Sequence, residues 1–185
     1  TIARVREVRT YPARFMLVAA MNPCPCGFAG DPSGRCTCTP QRVERYRSRI
    51  SGPLLDRIDM HIAVRPVALE AMAKMVADGA TTPDASAQVL VARRRQASRR
   101  TRLHVALNAH LSGRAAAEEA QLTREVRARF TETLRRLDLS GRAYVRVLRV
   151  ARTIADLAER EVVTFDDLAE AVQYRNLDRR QIPGT

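Results

Sequence analysis

The sequence predicts an α/β segment followed by an all-α domain, and three observations carry that reading. An apolar run at residues 15–21 (Phe-Met-Leu-Val-Ala-Ala-Met), closed by Asn22-Pro23, has the pattern of a strand buried on both faces. Beyond residue 86 the apolar residues recur at helical spacing only. Between these parts, residues 66–86 combine alanine-rich turns with Asp78-Gly79-Ala80-Thr81-Thr82-Pro83-Asp84, the composition of an exposed connection. The expected domains are therefore residues 1–65, a linker at 66–86, a helical domain at 87–178 and a tail at 179–185.

In chain order, Ile2-Ala3-Arg4-Val5 reads as a strand with no start signal before it. Because the chain also opens on Thr1, it is expected to be a piece of a longer protein. Pro23 ends the apolar strand. Residues 27–40 turn to Gly, Pro, Ser, Asp and Thr, a loop framed by cysteines. Thr39 and Pro40 then supply an N-cap and a first helical position. Ser51-Gly52-Pro53 interrupts that helix and opens a short turn through Leu54-Leu55-Asp56-Arg57. Residues 58–64 next alternate like a strand, and Pro66 closes it.

In the C-terminal part, Val126, Phe130, Leu134 and Leu137 form a stripe behind a cap at Thr123. Ser140 caps a longer helix that gathers Tyr144, Val147, Leu148, Ala151, Ile154, Ala155 and Ala158 on one side at about 100° per residue. Arg142, Arg146 and Arg149 fall on the opposite side. Thr164 with Asp167 forms a capping-box-like start for a last helix that carries Phe165, Leu168 and Val172 inward.

The chain has 185 residues, 45% of them hydrophobic and 28% charged, within the ordinary range of a globular protein. No run approaches the roughly 20 apolar residues of a membrane span, and no signal pattern opens the chain, so a cytoplasmic address and no membrane partner are expected. The net charge of +12 rests on 31 Arg and one Lys, Lys74, with both ends basic and residues 66–86 slightly acidic. That balance fits a polyanionic partner, or else solvated helix faces. The six arginines at 93, 94, 95, 99, 100 and 102 carry the same two readings, phosphate neutralisation or the coating of a helix.

All four cysteines lie in Cys24-Pro25-Cys26 and Cys36-Thr37-Cys38. Two close thiolate pairs facing each other can complete a tetrahedral Zn2+ shell, with no open position for catalysis. The one-residue spacing is tighter than the usual two, and a pair of disulfides or four reduced thiols remain alternatives. His61, His104 and His110 share no ligand spacing and read as structural.

Three further polar residues stand at informative places. Asn22 would sit at the C-terminal end of a central strand, where open α/β sheets place polar groups over a ligand, or it is a turn asparagine before proline. Arg57 sits where a helix turns into a strand, free to project outward or to pair with Asp56 or Asp59. Arg142 begins a helix on the face opposite its core, where it can reach a phosphate or stay solvated. No G-x-x-x-x-G-K-[ST] loop, acidic pair after an apolar strand, or Ser/His/Asp or Cys/His arrangement occurs, so an independent hydrolase is hard to build from these residues.

Tyr11-Pro12-Ala13-Arg14-Phe15, the run from Leu17 to Gly27 and the run from Ser51 to Asp59 resemble the magnesium-chelatase-like AAA+ ATPases, and more closely their YifB/ComM branch. Leu139-Ser140-Gly141-Arg142-Ala143-Tyr144 and the run from Arg146 to Leu157 resemble that branch's C-terminal helical domain. The resemblance implies the C-terminal part of a P-loop AAA+ core, with an incomplete parallel sheet, followed by an all-α lid. It gives Asn22 the sensor-1 role beside the γ-phosphate, Arg57 that of the arginine finger, and Arg142 that of sensor 2. It further implies ATP with Mg2+ as cofactor, a homo-oligomeric ring, expected to be a hexamer, and DNA as partner, the branch including a DNA branch-migration helicase.

The family's phosphate loop and magnesium-binding acids would lie before Thr1. Residues 2–5 would be the far strand of a pore hairpin, which makes Arg4 and Arg6 candidates for DNA contact. The alternatives are a non-enzymatic, basic, zinc-bearing DNA-binding module and, less favoured, a metal-chelatase motor subunit.

Overall fold

A computed structural model describes residues 1–4, 7–12, 15–64, 66–77 and 83–175, which divide into a unit ending at Arg49 and a second unit beginning at Ile50. The division leaves residues 50–64 in one unit with the C-terminal helices.

In the first unit, β1 (Ile2–Arg4) and β2 (Glu7–Arg9) form an antiparallel hairpin in the register Ile2↔Arg9, Ala3↔Val8, Arg4↔Glu7. The expected N-terminal strand thus exists, and its partner among the described residues is the segment that follows it. Arg6 and Val5 lie outside the described residues.

The expected strand at 15–21 is not formed. This segment carries no ladder, and Phe15 and Met16 are 74% and 87% exposed. A central strand is made by its neighbours on both sides, and β1–β2 is the only ladder among the described residues. The parallel sheet expected from the sequence is accordingly absent among them. The α1 helix (Pro40–Arg47) begins as its sequence dictates, with Thr39 Oγ1 accepting from the Arg42 amide at 3.3 Å and Pro40 at the first helical position.

The second unit opens with α2 (Gly52–Leu55), a single turn. Residues 58–64 form no strand either, for the same want of a partner, and leave Ile62 and Val64 exposed. α3 (Leu69–Ala77) lies within the expected linker and buries none of its residues. α4 (Pro83–Leu103) follows, then a 3-10 turn at Asn108–His110, α5 (Gly113–Ala120), α6 (Arg124–Arg136), α7 (Gly141–Leu157) and α8 (Phe165–Gln173).

The helical part folds as its capping and periodicity predict. Thr123 and Ser140 each accept a backbone N–H at the first turn of α6 and α7, and Thr164 with Asp167 makes both bonds of a capping box at α8. α7 is the hub, packed against α4, α5, α8 and the 3-10 turn. Its Val147, Leu148, Ala151 and Ala155 are buried with Phe130 and Leu134 of α6 and Leu168 and Val172 of α8. The Phe130 and Tyr144 rings meet at 5.0 Å between centroids, tilted by 35°.

The polar side of α7 departs from expectation. Arg142 is exposed, but Arg146 and Arg149 are only partly so. Arg146 reaches Asp59 at 2.5 Å, and Arg149 donates through Nε to the Leu111 carbonyl at 2.9 Å. Long guanidinium stems reach over neighbouring elements, so a position opposite the core need not be a solvated one.

Candidate functional site

The four cysteines converge. Their sulfurs all lie within 4.8 Å of one another, with Cys24–Cys36 at 3.8 Å, Cys26–Cys36 at 3.7 Å and Cys24–Cys26 at 3.3 Å. A tetrahedron with metal–sulfur bonds of about 2.3 Å has sulfur–sulfur edges of about 3.8 Å. These separations are also far longer than the roughly 2.05 Å of a disulfide. The donor set and its spacing therefore fit a tetrahedral thiolate metal.

Local backbone explains how a one-residue spacing succeeds. The chain turns sharply after Cys24, with the Gly27 amide donating to the Cys24 carbonyl at 3.0 Å and Gly27 at φ +86°, a conformation suited to glycine. Cys36 and Cys38 lie in non-helical backbone, where side chains two residues apart return to one face. Asp31 and Arg35 pair at 3.2 Å, and the Arg35 guanidinium lies 4.6 Å over the Phe28 ring, which ties the loop between the two cysteine pairs.

The electrostatics divide the cysteines by pair. Backbone donation from Phe28, helped by the Cys24 thiol, pulls Cys26 down to about 6. Cys24 lies below its ordinary value: burial pushes it up, but backbone donors including the Ala29 amide, 3.3 Å from its sulfur, outweigh that. For Cys36 the Cys38 amide pulls down, yet burial together with the Cys26 and Cys24 sulfurs pushes it up to about 11. For Cys38 the Cys26 amide pulls down, but burial and the Cys26 and Cys24 sulfurs outweigh it and raise the thiol. Negative charge gathers first on the 24/26 pair and then resists ionisation of the 36/38 pair, a penalty that a bound divalent cation relieves.

Asn22 lies two residues before Cys24, with its side chain exposed at the edge of the cysteine turn. Its Nδ2 is 3.9 Å from where a Cβ on Gly27 would stand. It ends no strand here, because the run before it is unpaired.

Arg57, in the second unit, is exposed and donates to the Pro53 carbonyl at 2.7 Å within its own turn. It does not pair with Asp56 or Asp59 in the way its sequence neighbours allow, because those carboxylates are engaged elsewhere. Asp56 accepts from Ser140 Oγ at 3.0 Å and lies 3.6 Å from Arg142, while Asp59 holds Arg146. Arg142 is thereby brought to Asp56, the residue before Arg57 in the chain. Arg175, which periodicity did not single out, is buried and donates through Nη1 to the Ile58 carbonyl, with Nη2 3.7 Å from Asp56.

The basic run of α4 divides. Arg95 and Arg99 turn into the helical core toward Asp156, with Arg99 Nη2 at 2.5 Å, so neither is available to neutralise a phosphate. Arg93 bonds Gln96, and Arg94 is exposed. The cluster's centre is a buried pair that sequence reasoning missed, Arg152 with Asp156 at 3.1 Å. The signal was present, since 148, 152 and 156 continue one line of the apolar face at four-residue spacing. His61 is buried, with Nε2 3.3 Å from the Leu55 carbonyl, a structural setting.

Comparison with known proteins gives one consistent family. The model for "Magnesium chelatase, subunit ChlI" matches residues 1–72, and that for "Magnesium chelatase, subunit ChlI C-terminal" matches residues 79–175. The chain is 40% identical over 178 residues to the uncharacterised protein YifB of Escherichia coli, covering 96% of this chain and 34% of that protein. It is 37% identical over 179 residues to the competence protein ComM of Haemophilus influenzae, covering 96% and 34%. The chain thus spans about a third of the length of these curated relatives. Among the described residues no helix is long and apolar enough to cross a membrane.

Proposed function

The chain belongs to the magnesium chelatase ChlI family, and from that premise we propose that it supplies the nucleotide-sensing and intersubunit elements of an ATP-driven AAA+ ring motor that acts on DNA. Arg57 is the arginine finger, Asn22 is sensor 1 and Arg142 is sensor 2. Residues 87–178 form the motor's lid. The ring is a cytoplasmic homo-oligomer, a hexamer, working in branch migration or unwinding of DNA. The competence role in ComM's name supports the DNA assignment.

One observation carries the reading. The Arg57 guanidinium is exposed beside two acids, and both acids are occupied by other partners. An exposed planar fork whose neighbouring acids are already engaged fits an anionic partner on a neighbouring surface.

Bound ATP with Mg2+ supplies the phosphoryl group whose transfer drives such a ring. The chain's own contribution is preorganised positive charge from Arg57 and Arg142 and orientation of a water by the Asn22 amide, with no covalent role. Cys24, Cys26, Cys36 and Cys38 hold a structural Zn2+ that braces the loop following Asn22; four protein ligands leave the ion no open position for chemistry.

The finger assignment is tested by Arg57→Ala in the full-length protein. ATPase turnover is expected to be abolished with nucleotide binding nearly intact, and unchanged turnover rejects the assignment.

A further inference from the structure

The turn that carries Arg57 is fastened on both sides to the C-terminal helices of its own unit. Before Arg57, Asp56 takes the Ser140 hydroxyl at the N-cap of α7 and lies within reach of Arg142 and Arg175. After it, the Ile58 carbonyl accepts from Arg175, Asp59 pairs with Arg146 of α7 at 2.5 Å, and the His61 amide donates to the Tyr174 carbonyl at 2.6 Å. Residues 56, 58, 59 and 61 are anchored to α7 and the end of α8, while Arg57 between them is exposed and rests on the Pro53 carbonyl of its own turn.

The anchors are of different physical kinds. Arg175, only 1% exposed, sits just past the C-terminus of α8, where the helix dipole favours a cation. Its guanidinium satisfies a backbone carbonyl beside a carboxylate, a geometry that fixes the turn as well as compensating charge. The Asp59–Arg146 pair is shallower, with side chains 48% and 19% exposed, so it contributes little to folding.

We infer that Arg146, Asp59 and Arg175 are positioning residues for Arg57, coupling the attitude of α7 and α8 to the placement of its guanidinium. This inference rests on the finger reading above. It goes further in assigning the helical part a role in presenting the finger to a neighbouring subunit, besides its role over its own nucleotide. A displacement of about 1 Å in a group acting on a transition state can cost a hundredfold in rate, so a loosened turn acts on kcat rather than on nucleotide affinity.

The exposed pair permits a clean test in the full-length protein. Asp59→Arg and Arg146→Asp are each expected to lower the kcat for ATP by about tenfold or more. KM for ATP and the melting temperature should change little, and the double variant Asp59→Arg/Arg146→Asp should recover most of the rate. Wild-type kcat in both single variants, or no recovery in the double, overturns the positioning role. Arg57→Ala measured alongside separates the two ideas. If it abolishes turnover while the single variants do not reduce it, the positioning inference alone fails. If it leaves turnover unchanged, the finger reading fails and the inference falls with it.

Discussion

Arg152 and Asp156, four residues apart on α7, form an ion pair at 3.1 Å with side chains 1% and 0% exposed, and the helical core is assembled around them. Arg152 also donates to the Glu119 carbonyl at 3.2 Å, and Asp156 accepts from Asn108 Nδ2 at 2.8 Å and from Arg99. The pair therefore ties α4, the 3-10 turn and α5 to α7. Removing one member leaves a buried charge without its partner. Asp156→Ala is expected to cost about 3–5 kcal/mol in urea unfolding. Glu132→Ala, which breaks exposed pairs to Arg135 and Arg136, should cost about 1 kcal/mol or less. Equal effects would contradict this account of the core.

Phe130 is buried and stacked against Tyr144. Phe130→Ala should destabilise the helical part by about 3–5 kcal/mol, through lost burial and the cavity left behind. A midpoint shift in denaturant without a change in the slope against denaturant concentration is the expected signature.

Thr164 accepts from the Asp167 amide at 3.3 Å and anchors the box that starts α8. Thr164→Ala is expected to cost about 1 kcal/mol, while Thr164→Ser should be nearly neutral, because the hydroxyl oxygen is what the cap requires.

The metal proposal predicts about one zinc per chain in protein prepared under reducing conditions, and loss of that zinc in Cys24→Ser. Replacement with cobalt should give the intense thiolate absorption of a tetrahedral site. After the metal is removed by chelator, Cys26 should be the first thiol alkylated. Its rate should rise with pH around a midpoint near 6, since a depressed value means that thiolate forms above it, whereas Cys36 should need strongly alkaline conditions. Four thiols that titrate alike and no bound metal would discard the site.

Arg142 is exposed and makes a single long pair with Asp56. Arg142→Ala in the full-length protein should leave the melting temperature almost unchanged, because exposed pairs contribute little. If Arg142 acts as sensor 2, nucleotide binding should weaken about tenfold or more, the loss of a charge-assisted contact to phosphate. Calorimetry with a non-hydrolysable nucleotide reads both the affinity and its change.

The helices were legible because their determinants are local. Ser140, Thr123, Thr164 and Asp167 act on amides within the next three residues, and the stripe from Val147 to Ala155 needs only helical winding to become a face. The cysteine cluster was half legible. Residue type and pairing marked the four thiols, but the turn at Gly27 was needed to show how a one-residue spacing brings them together.

Strands 15–21 and 58–64 were misread because an apolar or alternating pattern states a preference, while a strand exists only where another strand supplies its ladder. The forward pairing of β1 with β2 reflects the same dependence.

By itself the sequence determined the helical register, the caps, the two close cysteine pairs and the family. Tertiary structure alone decided the employment of the charges. Arg95 and Arg99 were drawn inward by Asp156, Arg146 was held by Asp59, and Arg57 was left exposed on the Pro53 carbonyl because its neighbouring acids were already engaged. An arginine's reach spans several elements, so its partner is set by which carboxylates and carbonyls the packed fold brings near it and not by its position along the chain.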